Sequence, residues 1–115
     1  MRKYIGRSKS EIEALLGPPK SCKQTYQGSS CQYQADYIEE IIFIDDRSDW
    51  LLLSDFDQLP YDYRSIKQIG LTPAPPTVAN PFRMRWDAYA GIAVVSMYGS
   101  GKYVSFIQVR AFTAQ

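Results

Sequence analysis

Few side chains in this sequence are equipped for covalent or metal chemistry. The 115 residues include no histidine, so neither a Ser–His nor a Cys–His nucleophile pair can form. Two cysteines, Cys22 and Cys31, cannot supply the four ligands of a closed zinc site, and no imidazole completes the set. What remains are carboxylates in close pairs: Asp45, Asp46 and Asp49, then Asp55 and Asp57. Such pairs can do acid–base work, or hold a divalent cation for a metal-assisted hydrolase. These lack the glycine and distal glutamate of a calcium loop, and a solvated hairpin tip accounts for them. Gly99-Ser100-Gly101 lies between two strand-forming runs, which makes it a tight turn rather than a phosphate loop. The expectation is a protein that is not an enzyme and carries no cofactor or metal.

Binding chemistry is better represented. Nine tyrosines and two tryptophans are a heavy load, and Tyr, Trp and Arg dominate the energetic centres of protein interfaces. Tyr61, Tyr63 and Arg64 form one cluster, and Arg83, Arg85, Trp86 and Tyr89 another. The competing reading places Trp50 and Trp86 in the core and the tyrosines over sheet edges. A Tyr-lined pocket for a small ligand is a further alternative.

Charge is segregated along the chain although the net is +1. Residues 1–23 carry six basic against two acidic side chains, residues 36–62 one against nine, and residues 63–115 six against one. The acidic segment either folds against the basic flanks or steers a partner with a basic surface. In the second case Asp45, Asp46, Arg47 and Asp49 join the aromatic clusters as partner-binding residues. A net charge so close to zero argues against nucleic-acid binding.

The elements that position these residues can be read locally. Ser8 and Glu11, or Ser10 and Glu13, satisfy a capping box, and Ile12, Leu15 and Leu16 share one face. Gly17-Pro18-Pro19 then ends a short helix. Cys22–Tyr26 and Cys31–Tyr37 flank a turn as exposed strands. Ile38–Ile44 and Trp50–Leu53 make a second hairpin about the polar turn Asp45–Asp49. Asp62 caps another short helix bearing Ile66 and Ile69, with Gly70 as its stop. The stretch Thr72–Pro81, with four prolines, reads as an extended connector. Phe82–Trp86, Ile92–Tyr98 and Tyr103–Phe112 follow as strands.

Cys22 and Cys31 lie across the first turn, where facing strand positions can meet. In an oxidising compartment they pair, and in a reducing one they stay as half-buried thiols. No long apolar run is present to span a membrane, and no secretory leader follows Met1-Arg2-Lys3. The expected location is cytoplasmic, with a periplasmic or secreted mature form as the alternative.

The order of elements also repeats, as pseudo-repeats 6–54 and 61–112. Ile12 maps onto Ile66 and Trp50 onto Tyr103. A true duplication predicts one continuous antiparallel sheet with both helices on one face. The opening from Gly6 to Pro19, with its polar cap and its Leu-Gly-Pro-Pro stop, resembles small modules of the beta-lactamase-inhibitor-protein-like and outer-membrane-assembly lipoprotein group. The Tyr33 strand and the hairpin of residues 38–53 are similar too. That resemblance, over residues 6–53, implies a noncatalytic binder of other proteins. The expected architecture is a single α+β domain over residues 1–115: an antiparallel sheet of about six strands with two short helices on one face. The expected function is a protein-binding module, such as an inhibitor, immunity protein or assembly factor.

Overall fold

Alternation decides which side of each strand is buried. In Arg47–Leu53, Leu51 and Leu53 are fully buried while Trp50 and Leu52 are not. Side chains at i and i+2 share a sheet face, so Trp50 and Leu52 point away from the core. The same alternation recurs over residues 41–44 and 106–110 of the computed structural model, which describes residues 2–111.

Eight strands form a single antiparallel sheet: β1 (Ser21–Gln24), β2 (Ser29–Ala35), β3 (Ile38–Ile44), β4 (Arg47–Leu53), β5 (Val78–Ala79), β6 (Arg83–Tyr89), β7 (Ile92–Gly99) and β8 (Val104–Arg110). Their order across the sheet is β1-β2-β3-β4-β8-β7-β6-β5. Two four-strand meanders are thus joined through their last strands. On the core face, Cys31, Ile41, Leu51, Val109, Val95 and Trp86 stand opposite one another strand by strand. Every one of them is buried. A parallel row runs through Ile38, Leu53, Ile107 and Met97. Tyr4, Ile12, Ile66, Ile69 and Leu71 complete the same core.

This corrects the expected α+β class of about six strands with two helices on one face. The sheet has eight strands, and the helical part is one eight-residue helix, α1 (Lys9–Leu16), with two short 3-10 segments. The class is mainly β. Two physical reasons account for the difference. The proline-rich stretch holds a short edge strand, β5, whose two residues pair with Arg85 and Met84. Helix Tyr63–Ile69 is wound as 3-10, which superimposes Ile66 and Ile69 on one side and suits their spacing of three. The last strand, read to Phe112, ends at Arg110, and Phe112 lies outside the described residues.

Local signals were honoured elsewhere. Ser8 caps α1 with a complete capping box, its hydroxyl accepting from the Glu11 amide while the Glu11 carboxylate accepts from the Ser8 amide. Asp62 caps the 3-10 helix, and Gly70 ends it in the left-handed region. Gly28, with φ of 156°, allows β1 and β2 to turn beneath β3. A Cβ there would lie 2.1 Å from the Phe43 carbonyl oxygen.

The two halves share further features at a spacing of 54 residues. The two-residue turns Asp36-Tyr37 and Ala90-Gly91 all have positive φ, the geometry that matches hairpin twist. Ile38 and Ile92, Ile41 and Val95, and Phe43 and Met97 are buried in pairs. Trp50 and Tyr103 do not correspond, because Trp50 lies inside β4 whereas Tyr103 precedes β8 and bridges to Pro60.

Candidate functional site

The face of the sheet opposite the core is covered by no other element among the described residues. Its side chains line up in rows fixed by register. One row runs Ser30, Ile42, Trp50, Arg110, Val94, Asp87; the next runs Gln32, Glu40, Leu52, Gln108, Ser96, Arg85. Phe106, Tyr98 and Arg83 begin a third over β8, β7 and β6.

The half of this face formed by β4, β8, β7 and β6 is distinctive. Trp50, Arg83, Arg85, Asp87, Val94, Ser96, Gln108 and Arg110 line a shallow depression of about 390 Å³. The Arg110 guanidinium lies 4.7 Å from the centre of the Trp50 ring, and that of Arg83 lies 5.5 Å from the Tyr98 ring. Both are within the range in which a cation is drawn to an aromatic face. Tyr98 and Phe106 stack with centroids 4.5 Å apart. Arg83 also donates to the buried Ser96 hydroxyl at 3.2 Å, and Arg85 lies 3.0 Å from Asp87. Three of the chain's seven arginines therefore share this surface with one paired carboxylate.

Across the other half, charge is muted. Glu40 accepts from the Ser30 hydroxyl at 2.6 Å. β1 is exposed along its length and is fastened by the Cys22–Cys31 disulfide, with an S–S distance of 2.12 Å. The two cysteines stand directly opposite each other in the β1–β2 ladder, so the bridge forms where the first hairpin brings facing positions together.

The residues singled out from the sequence are dispersed by the fold. Asp45 and Asp46 form the exposed β3–β4 turn, both at positive φ, and Asp46 accepts from the Lys9 amide at the start of α1. Arg47 donates to the Gly6 carbonyl. Asp49 is fully buried because it alternates in phase with Leu51 and Leu53 on the core side of β4, and a bulge brings Ser48 opposite Phe43 beside it; it belongs to no exposed acidic surface. Asp55 and Asp57 follow β4, so its seven residues separate them from Asp45 and Asp46 by about 20 Å at ~3.3 Å per residue. The acidic segment is thus split between opposite ends of the sheet, and its aspartates do not converge.

The aromatic candidates divide as well. Trp86 is 2% exposed, and its indole N–H donates to the Ala74 carbonyl at 2.8 Å. It is a core residue and not a surface anchor. Arg85 and Asp87, its strand neighbours, lie on the open face instead. Tyr61 donates to the Asn80 carbonyl at 2.9 Å and rests against Gly99. Tyr89 donates to the Thr72 carbonyl. Tyr63 is exposed beside Arg64, whose guanidinium makes two hydrogen bonds of 2.9 Å to Asp62. Those hydrogen bonds hold the Asp62 carboxyl down at about 2. This cluster borders a second depression with Leu59, Pro60 and Lys67, which no tyrosine lines.

Two buried tyrosines titrate abnormally. Burial, reinforced by the nearby Glu13 carboxylate, pushes the Tyr33 phenol up to about 12. Burial and a 2.5 Å hydrogen bond to Asp36 raise that of Tyr4 as well. The Tyr33 hydroxyl has no hydrogen-bond partner among the described residues.

Trp50, Tyr98, Phe106, Gln108 and Arg110 were not chosen as site residues from the sequence. The signal was present in β8, where Phe106, Gln108 and Arg110 alternate with the buried Ile107 and Val109. The polar member of that alternation marks the side facing solvent.

No protein-family model matches the chain, and no curated protein matches it. Its fold is similar to that of an extracellular protein containing a SCP domain from Bacillus anthracis str. Ames, with a TM-score of 0.65 and 9% identity. The similarity covers 97% of this chain and 45% of that one. The chain therefore spans less than half of that protein's length, and at this identity the likeness is one of fold alone.

Proposed function

We propose that this protein is a noncatalytic protein-binding module, in the manner of an inhibitor, immunity protein or assembly factor, and that the uncovered sheet face is its contact surface. One observation carries the reading: an open face, backed by a packed core, presents Trp50, Tyr98, Phe106, Arg83 and Arg110 together. Aromatic rings and arginines on rigid strands are the components of interface hot spots, and little conformational entropy is lost when they are fixed. The resemblance of residues 6–53 to protein-binding modules points the same way. Catalysis by the aspartates is not proposed, because Asp45 and Asp46 stand at the far end of β4 from Asp55 and Asp57.

The Cys22–Cys31 bridge favours the periplasmic or secreted alternative over a cytoplasmic location, since such bridges persist in oxidising compartments. No helix among the described residues is long and apolar enough to cross a membrane.

Affinity capture from the native source with three baits tests the contact surface. A protein held by the wild-type chain should be lost with Trp50→Ala on the open face. It should be retained by Lys67→Ala, which lies on the exposed side of the 3-10 helix. Equal retention by all three baits would refute the assignment of the face.

A further inference from the structure

We infer that the β6–β8 half of the open face docks an acidic, extended segment of a partner protein, with carboxylates seated on Arg83 and Arg110 and a third exchanging with Asp87 at Arg85. The inference rests on the protein-binding reading above and names the chemistry of the partner.

Charge complementarity is the first support. Neither Arg83 nor Arg110 makes an ion pair among the described residues; each guanidinium lies over an aromatic ring instead. Arg110 is exposed and Arg83 half-buried with its Nε buried and unpartnered, and either guanidinium gains most from a carboxylate that meets it with two parallel hydrogen bonds. Spacing is the second support. Arg83 and Arg85 are two residues apart on one strand, about 6.6 Å at ~3.3 Å per residue, and an extended partner repeats its side chains on one side at the same interval. Arg110 is two strands away from Arg85 across β7 and one row further along the sheet, about 12 Å at ~4.8 Å per strand and ~3.3 Å per residue. A single small anion cannot lie at the centre of all three, whereas a segment with several carboxylates can. The Tyr98–Phe106 stack continues the surface beyond the depression, giving apolar contact area that an isolated anion would not use.

Nucleic acid is the competing polyanion, since aromatic rings with arginines also bind single strands. The net charge of +1 over the whole chain speaks against it, since a phosphate backbone needs a broad run of basic side chains.

The test uses the oxidised 115-residue protein, isotopically labelled for NMR, and four defined probes. These are a ten-residue peptide with Asp at alternate positions, the same peptide with Asn, inorganic phosphate, and a twelve-residue oligothymidylate. The inference predicts that the Asp peptide shifts amides of β6, β7 and β8, binds at least tenfold tighter than the Asn peptide, and weakens about tenfold with each of Arg83→Gln and Arg110→Gln. Hydrogen bonds to a charged group are worth about that factor. Circular dichroism and melting of the variants confirm that they fold. Equal binding of the two peptides overturns the inference, as does a shift pattern confined to other strands. Tighter binding of phosphate or of the oligothymidylate than of the Asp peptide overturns it too. Any of these results, combined with loss of the captured protein by Trp50→Ala, would leave the open face as the contact surface and reject only the acidic segment. Retention of the captured protein by Trp50→Ala would reject the face itself.

Discussion

Reducing the Cys22–Cys31 bridge perturbs the fold without changing a residue, and its size can be worked out. The cysteines are nine positions apart, and closing a loop of that length removes about 2.7 kcal/mol of unfolded-chain entropy in the loop-closure model. Nothing in β1 compensates, because all four of its residues are exposed. Once the bridge is gone, β1 is held mainly by its ladder to Ser29–Gln32. For a domain of this size each kcal/mol corresponds to about 4 °C in the melting midpoint. Reduction with a phosphine should therefore lower the midpoint by about 10 °C. Amide exchange should rise most in residues 21–30, with β4, β7 and β8 slowed only by the global change. Calorimetry with and without the reductant, read alongside hydrogen exchange, supplies both numbers. Midpoints within 2 °C of each other would refute the reasoning and show that the denatured chain does not gain the assumed freedom.

Three further outcomes follow from particular contacts. Leu51→Ala empties the middle of the longest buried row and should cost about 2–5 kcal/mol, measured by urea unfolding; a loss below 1 kcal/mol would mean that the rows are not the core. Tyr33→Phe removes a buried hydroxyl that has no partner among the described residues and should stabilise by about 1 kcal/mol. Because the phenol keeps its proton up to about 12 in the fold but releases it near 10 in the unfolded chain, its share of stability is whole below pH ~10. It is lost as the pH rises through the folded value, so Tyr33→Phe should also flatten stability in that alkaline window. An unchanged alkaline slope would contradict the burial argument. Asp62, held at about 2 by the Arg64 side chain and backbone amide, should rise but stay below the ordinary carboxylate value in Arg64→Gln, which keeps the amide, followed by carboxyl NMR; because the pair is exposed, the effect on overall stability should be small.

Features encoded by neighbours in sequence were the readable ones. Ser8 with Glu11 specifies the start of α1, Asp62 and Gly70 bracket the second helix, and Asp45-Asp46 mark the β3–β4 turn. Each depends on hydrogen bonds spanning a few residues. The features set by pairing across the sheet were hidden. Val78 and Ala79 are strand residues only because Arg85 and Met84 lie opposite them, and the surrounding prolines mask that. Asp49 is buried because it keeps the phase of Leu51 and Leu53, while its place in the polar run Asp45–Asp49 and the three leucines after Trp50 conceal which residues face inward. Trp86, flanked by Arg85 and Asp87, has the neighbours of a surface residue although its own side belongs to the core. Of the open face, Arg83 and Arg85 were singled out but Trp50, Tyr98, Phe106 and Arg110 were not, for the same reason. Arg83, Arg85 and Arg110 come together only when β8 pairs between β4 and β7, a long-range register that no local pattern states.

Oxidative footprinting of the aromatic side chains tests the central claim most directly. Brief exposure to hydroxyl radicals, for the protein alone and with its captured partner, reports the access of solvent to each ring. The account predicts that Trp50, Tyr98 and Phe106 become protected on binding while Tyr63, in the first turn of the 3-10 helix, reacts at an unchanged rate. Protection of Tyr63 with Trp50 and Tyr98 still reacting freely would contradict it.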